Sequence, residues 1–221
     1  MTDSSGPGGA GARYFGLYTA IVADVVDPDE HGRIRVELPD LGGAAEGGSG
    51  VWATLVTPYA GDGQGFLFLP EVGSRVVVGF EAGDLHRPYV VGGFWGDTGA
   101  IPETSATARD VRLIHTRAGS RIELDDSPGA AKITVSTASG HRLVLDEGGS
   151  SIRAEHSGGS MVVLDGARIE VRSAGTVTVR AGAVRVHAPI ASFDGVVTCA
   201  TLVASSGVVS PSYTPGLGNL L

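Results

Sequence analysis

The chain has 221 residues, with 16 Lys and Arg against 24 Asp and Glu for a formal charge of −8, and its length admits one large domain or two small ones. The acidic balance argues against binding that rests on clustered basic side chains meeting phosphate, on nucleic acid or on an anionic membrane surface. Thirty-five glycines and an aromatic content of 6% leave too little bulky side chain for one broad core and point instead to many short strands and turns.

The opening stretch Met1 to Arg13 is Gly, Ser and Ala without an apolar centre, so it reads as a disordered arm rather than a secretion signal. No later apolar run has the length needed to cross a bilayer. The single cysteine, Cys199, cannot form an intramolecular disulfide, lies near Val197 and Ala200 and is expected to be a packed thiol that indicates no redox compartment.

From Tyr14 to about Trp95 short β-type runs alternate with turns, and no 3.6-residue amphipathic stretch appears. Leu17 to Val26 is the first run, and Asp27-Pro28-Asp29-Glu30-His31-Gly32 forces a reversal. Arg33 to Leu38 then alternates strictly, with Ile34, Val36 and Leu38 on one face. A Gly-rich loop from Gly42 to Gly50 leads to Val51–Val56, and further runs follow at Phe66–Leu69, Val76–Phe80 and Tyr89–Trp95. Strands this short, with Gly to supply curvature, predict a small closed barrel. Its expected core is Ile34, Val36, Leu38, Trp52, Val76, Val78, Phe80 and Trp95.

Near Val111 the vocabulary changes. Aromatics nearly vanish, and Gly119-Ser120-Arg121-Ile122-Glu123-Leu124-Asp125 is echoed by Gly140-His141-Arg142-Leu143-Val144-Leu145-Asp146 and by Gly159-Ser160-Met161-Val162-Val163-Leu164-Asp165, a repeat of roughly 20 residues. Shorter alternating units, Ile133-Thr134-Val135, Ile152-Arg153-Ala154, Ile169-Glu170-Val171, Val177-Thr178-Val179 and Val184-Arg185-Val186, lie between and after them. Each presents one narrow apolar edge that it cannot bury alone. A single-chain solenoid would need more inward residues per coil. The pattern therefore predicts three identical chains wound together, with backbone ladders running between chains. Ile122, Leu124, Ile133, Val135, Leu143, Leu145, Ile152, Val162, Leu164, Ile169, Val171, Val177, Val179, Val184 and Val186 would fill the shared axis.

The chain resembles the spike family of contractile injection systems, which includes phage baseplate assembly protein V, VgrG proteins and the spikes of extracellular phage-tail-like particles. The resemblance rests on Tyr14-Phe15-Gly16-Leu17-Tyr18 with Asp27-Pro28, on His31 to Val36, Leu38-Pro39 and Trp52-Ala53, and on Gly65 to Gly73. It continues through Val76 to Phe80, Gly83-Asp84 and Arg87 to Gly92, and Ser120 to Asp126 with Lys132 to Val135 resembles the start of the family's β-helix. It implies an all-β chain: an N-terminal OB-fold barrel followed by a C-terminal intertwined triple-stranded β-helix formed by a homotrimer. The expected divisions are a disordered arm at 1–13, the OB fold at 14–98, a linker at 99–109, the needle at 110–204 and a tip segment at 205–221.

The implied function is a structural spike with no catalytic residues, mounted on a baseplate hub and pointing outward, with inner tube and cargo as indirect partners and the target membrane met only by puncture. Such a spike would be assembled in the cytoplasm into a phage-tail-like particle and would act at the target envelope, outside the cell after lysis. The short linker leaves no room for the lysozyme domain that some members carry, and a chain that starts almost directly with the OB fold implies a separate hub protein. Val208, Pro211, Tyr213, Pro215, Leu217, Leu220 and Leu221 would form a platform for a PAAR-type tip protein, or else fold back on the needle.

Competing chemistry is weakly signalled. Trp52, Phe66, Phe68, Tyr89 and Trp95 could stack bases or sugars, but aromatics interleaved with Val and Leu more commonly serve core or subunit contact. His31, His86, His115, His141, His156 and His187 are isolated in sequence, without the His-x-His that holds iron in some phage spikes, so no metal is expected. His187 could still place three imidazoles round an axis. Asp125-Asp126, Asp146-Glu147 and Asp165 repeat at strand ends and read as turn acceptors rather than hydrolytic or calcium-binding carboxylates. The Gly-rich loops lack the Lys-Ser/Thr of a phosphate-binding loop, and no cofactor is expected. A β-helical polysaccharide-degrading enzyme and a phage-derived adhesin are the rival functions.

Overall fold

A computed structural model of the chain describes residues 13–41, 50–96, 100–103 and 109–210. Among these, regular structure consists of β-strands and two single-turn 3-10 segments. The first five long strands close on themselves. They are β1 (Leu17–Asp24), β2 (Arg33–Glu37), β3 (Val51–Leu55), β6 (Arg75–Phe80) and β7 (Pro88–Gly93), and β4 (Ala60–Gly61) with β5 (Gln64–Gly65) forms a separate small hairpin. The barrel order is β1-β2-β3-β7-β6, antiparallel throughout except where β3 meets β7 in parallel. This is the five-stranded OB topology expected for the first half of the chain.

Alternation explains the core. Ala20, Val22, Ile34, Val36, Ala53, Val76, Val78 and Val90 all point inward and are buried. A five-stranded barrel has a narrow interior, so small aliphatic side chains fill it and bulky rings are not needed. The expected core members Ile34, Val36, Val76 and Val78 are among these, while Leu38 and Phe80 pack against them partly buried. The two tryptophans need correction. Trp52 neighbours the inward Ala53, so it faces outward, with the Arg33 guanidinium 5.8 Å from its ring centre. Trp95 lies beyond the end of β7 and is 64% exposed. Phe66–Leu69 also differs from expectation: it is an exposed loop after the small hairpin, not a barrel strand.

The β1–β2 reversal is organised by one carboxylate. Asp27 accepts from the backbone N–H groups of Asp29, His31 and Arg33 and forms a two-pronged pair with the Arg33 guanidinium at 2.7 and 3.0 Å. The Arg33 pair is the largest cause holding the Asp27 carboxyl well below the usual carboxylate range.

The second half begins a new sheet. Strands β8 (Val111–His115), β9 (Arg121–Asp125), β10 (Lys132–Ser136), β11 (Arg142–Asp146), β12 (Ser151–Glu155), β13 (Met161–Asp165) and β14 (Ile169–Arg172) form an antiparallel meander in chain order. Along one edge the reversals repeat. Gly119, Gly140 and Gly159, at φ of 82°, 90° and 92°, donate to the carbonyls of Thr116, Thr137 and His156, a left-handed position that glycine adopts without penalty. At the other edge Asp125 accepts from Ser127, Asp146 from Gly149, and Asp165 from Ala167 and Arg168. The repeated carboxylates are thus turn acceptors. The Ser127 hydrogen bonds, with Lys132 alongside, lower the Asp125 carboxyl to about 2.

These hairpins correct one expectation. From Val111 to Arg172 the backbone ladders run within the chain, because each reversal is short enough to return the strand onto its predecessor. The described residues 173–210 form a separate unit without strand pairing. Val177, Val179, Val184, Val186 and Val208 are exposed there, as is Cys199, which is not the packed thiol expected. Residues 1–12 and the expected tip residues Pro211, Tyr213, Pro215, Leu217, Leu220 and Leu221 lie outside the described residues, as does part of the expected linker.

Two predictions follow from the barrel. Ile34→Ala should lower stability by about 2–5 kcal/mol in a denaturant titration, since the fully buried site leaves a cavity; a loss below about 0.5 kcal/mol would contradict its place in the core. Asp27 has a folded pKa below its unfolded value, so its contribution is whole above roughly pH 4 and fades as pH falls toward the folded pKa. Asp27→Asn should therefore melt lower at neutral pH and show a flatter decline in melting temperature from about pH 5 to about pH 3. An equally steep decline would refute the assignment.

Candidate functional site

Cross-strand register fixes which side chains of the meander share a face. One row runs Arg112, Leu124, Ile133, Leu145, Ile152, Leu164, Ile169, and a second beside it runs Ile114, Ile122, Val135, Leu143, Ala154, Val162, Val171. Both lie on the same face, because paired residues and alternate residues point the same way. Arg112 alone brings a charge into these rows, and it bonds Asp126 at 2.6 Å. The expected needle residues from Ile122 to Val171 are thereby brought together. Ala154 joins them as the Ile152-Arg153-Ala154 alternation implies, and Ile114 joins them unforeseen.

Among the described residues up to Arg172, no segment covers this face. Its expected members from Ile122 to Leu164 keep between 37% and 45% of their surface exposed, despite lying mid-sheet with strands on both sides. In a two-layer fold such positions would be buried. The sheet curves enough that Leu124, Ile133, Leu145, Ile152 and Leu164 line a groove of about 750 Å³, with Asp125, Asp146 and Asp165 along its border.

The opposite face is mostly polar. Its central row reads Leu113, Glu123, Thr134, Val144, Arg153, Val163, Glu170. Val144 and Val163 are buried there, since a central row is shielded by the rows flanking it. The meander thus has one face suited to water and one that calls for apolar cover.

The other candidate groups are scattered. His141 and His156, expected to be isolated, lie ring against ring at 4.4 Å in adjacent reversals. Their Nδ1 atoms accept from the backbone N–H groups of Ser157 and Gly158, so both imidazoles stabilise turns. Among the described residues no three His, Cys, Asp or Glu side chains are grouped to hold a metal ion. The aromatics do not form one platform: Trp52 is on the outer barrel wall beside Arg33, Tyr89 on β7 donates to Glu81, and Phe66 stacks on Phe68 in the loop.

Two segments of the chain match known families. Residues 18–95 match the type VI secretion system/phage-baseplate injector OB domain. Residues 111–187 match the phage baseplate V C-terminal trimerisation domain. The chain thus carries, in order, the OB domain and the C-terminal trimerisation domain of phage baseplate V proteins, and VgrG spike proteins are among its relatives. Among its relatives, the type VI secretion system spike protein VgrG4b of Pseudomonas aeruginosa is 34% identical over 85 residues, 36% of this chain and 10% of that protein. VgrG5 of the same organism is 30% identical over 95 residues, 41% of this chain and 12% of the relative. The actin cross-linking toxin VgrG1 of Vibrio cholerae is 29% identical over 104 residues, 43% and 10% respectively. The chain therefore spans only about a tenth of the length of these relatives.

Leu143→Asp would place a carboxylate in the second apolar row and should abolish self-association, read as a fall in mass by light scattering. Arg153→Ser on the opposite face should leave the mass unchanged. Equal behaviour of the two variants would show that the apolar rows are not the contact.

Proposed function

We propose that this chain is the structural central spike of a phage-tail-like contractile injection particle. Three copies would share one axis, with the OB barrels toward a baseplate hub and the needle toward the target. The observation that carries this reading is the uncovered two-row aliphatic face of β9–β13 within the segment that matches a trimerisation domain.

Three such faces turned inward would remove the aliphatic rows from water together and leave the polar faces outside. The extended stretch 173–210 follows the same logic one step further. Its backbone groups have no strand ladder among the described residues, and alternating Val177-Thr178-Val179 and Val184-Arg185-Val186 would pair with the equivalent stretches of two other copies. The product is a stiff rod, since bending it would break interchain ladders and the shared core at once.

In this reading puncture needs shape and stiffness, force comes from a contracting sheath, and the chain contributes no catalysis. A PAAR-type tip protein would sit at the target-facing end of the needle. Assembly would take place in the cytoplasm and action at the target envelope. Toxin activity, named for the Vibrio cholerae relative, remains a property of that protein.

Electron cryomicroscopy of particles purified from cells with and without this chain tests the reading. Loss of density on the particle's central axis below the baseplate is the expected result. Density lost only from peripheral fibres would favour an adhesin and overturn it.

A further inference from the structure

The barrel carries an exposed apolar surface that its fold does not need. Phe66, Leu67, Phe68 and Leu69 are 52%, 75%, 60% and 42% exposed, with Tyr59 and Val72 beside them in sequence order also exposed. Six large apolar side chains within one loop region form a patch that a soluble surface rarely presents without a partner.

The loop is also held in shape. Phe66 donates its backbone N–H to the Tyr59 carbonyl at 3.0 Å, its own carbonyl accepts from the Thr57 hydroxyl at 2.8 Å, and Tyr59 bonds Gln64 across the small β4–β5 hairpin. Phe66 and Phe68 stack with centroids 6.1 Å apart. An exposed aromatic cluster fixed before contact loses little conformational freedom on binding, which is the property of an interface anchor.

Its position selects the occupant. Glu71, two residues past Leu69, bonds Arg117 at 2.8 Å, and Arg117 lies in the reversal between β8 and β9. One cross-strand pair, His115 with Arg121, separates that reversal from Ile114 and Ile122, the first members of the second apolar row. The loop therefore lies on the side of the barrel nearest the meander, beside the β8–β9 reversal at which the two apolar rows begin. The only carboxylate in the stretch from Phe66 to Val72 is Glu71, already paired with Arg117, so no unpaired charge interrupts the apolar surface.

We propose that the Phe66–Leu69 loop docks on a second copy of this chain and forms a collar between neighbouring OB domains at the root of the needle. This rests on the trimeric reading above and extends it from the needle to the barrel. Two contacts would then hold each copy: the aliphatic rows along the axis and an aromatic anchor at the base, which fixes how the barrels are rotated about that axis.

The test uses the full chain with a photoreactive benzoylphenylalanine in place of Leu67. Irradiation of the purified assembly should give covalently linked dimers and trimers, with mass spectrometry placing the link between copies. Phe68→Asp should keep the trimeric mass but raise the dissociation rate about tenfold or more. A trimer in which position 67 links only within its own chain, with dissociation unchanged by Phe68→Asp, would overturn the collar while leaving the needle reading intact. A monomeric mass for the unaltered chain would remove both.

Discussion

Two continuous rows of aliphatic side chains on one face of the meander lie against no other segment among the described residues up to Arg172. A strand pair satisfies its backbone through the ladder whether or not its faces are covered, but mid-sheet Leu, Ile and Val at about 40% exposure remain in contact with water. Burying apolar surface contributes roughly 25 cal/mol per Å². Summed over five strands, that gain makes cover from outside the chain the main driving force acting on the second half of the molecule.

Self-sufficiency declines along the chain. The barrel from Leu17 to Gly93 covers both its backbone and its core, with eight small aliphatic residues buried inside a closed sheet. From Val111 to Arg172 the chain still closes its ladders through glycine-based hairpins but leaves one face bare. From 173 to 210 the described chain has neither strand ladder nor burial. The same alternating vocabulary of Val, Ile and Leu thus serves three degrees of dependence on other copies. The reversals decide between them: where Gly119, Gly140 and Gly159 allow a tight return, the strand pairs with its own predecessor, and where such returns end, pairing within the chain ends too.

Much of this was legible in the residues. Strict alternation in Arg33 to Leu38 placed Ile34 and Val36 inside the barrel, and the repeat from Ile122 to Leu164 placed its aliphatic side chains on one face. Local pattern was less informative where periodicity gave way to size. Trp52 and Trp95 looked like core because they are large, yet a five-stranded barrel has room only for smaller side chains, and alternation with Ala53 turns Trp52 outward. Ile114 was missed because Leu113 precedes it and the run Val111 to His115 does not alternate cleanly. The His141–His156 contact depends on register between hairpins, which separation in sequence hides. Whether ladders run within or between chains was likewise not readable from alternation, because both arrangements use the same strand pattern; the hairpin geometry decides it.

The central claim is that this polypeptide completes its fold only by sharing its apolar face with two others. Light scattering coupled to size exclusion on the purified full chain measures that directly. The expected result is three times the 22.4 kDa chain mass, unchanged on dilution through the micromolar range. A well-folded species of single-chain mass at the same concentrations would contradict it.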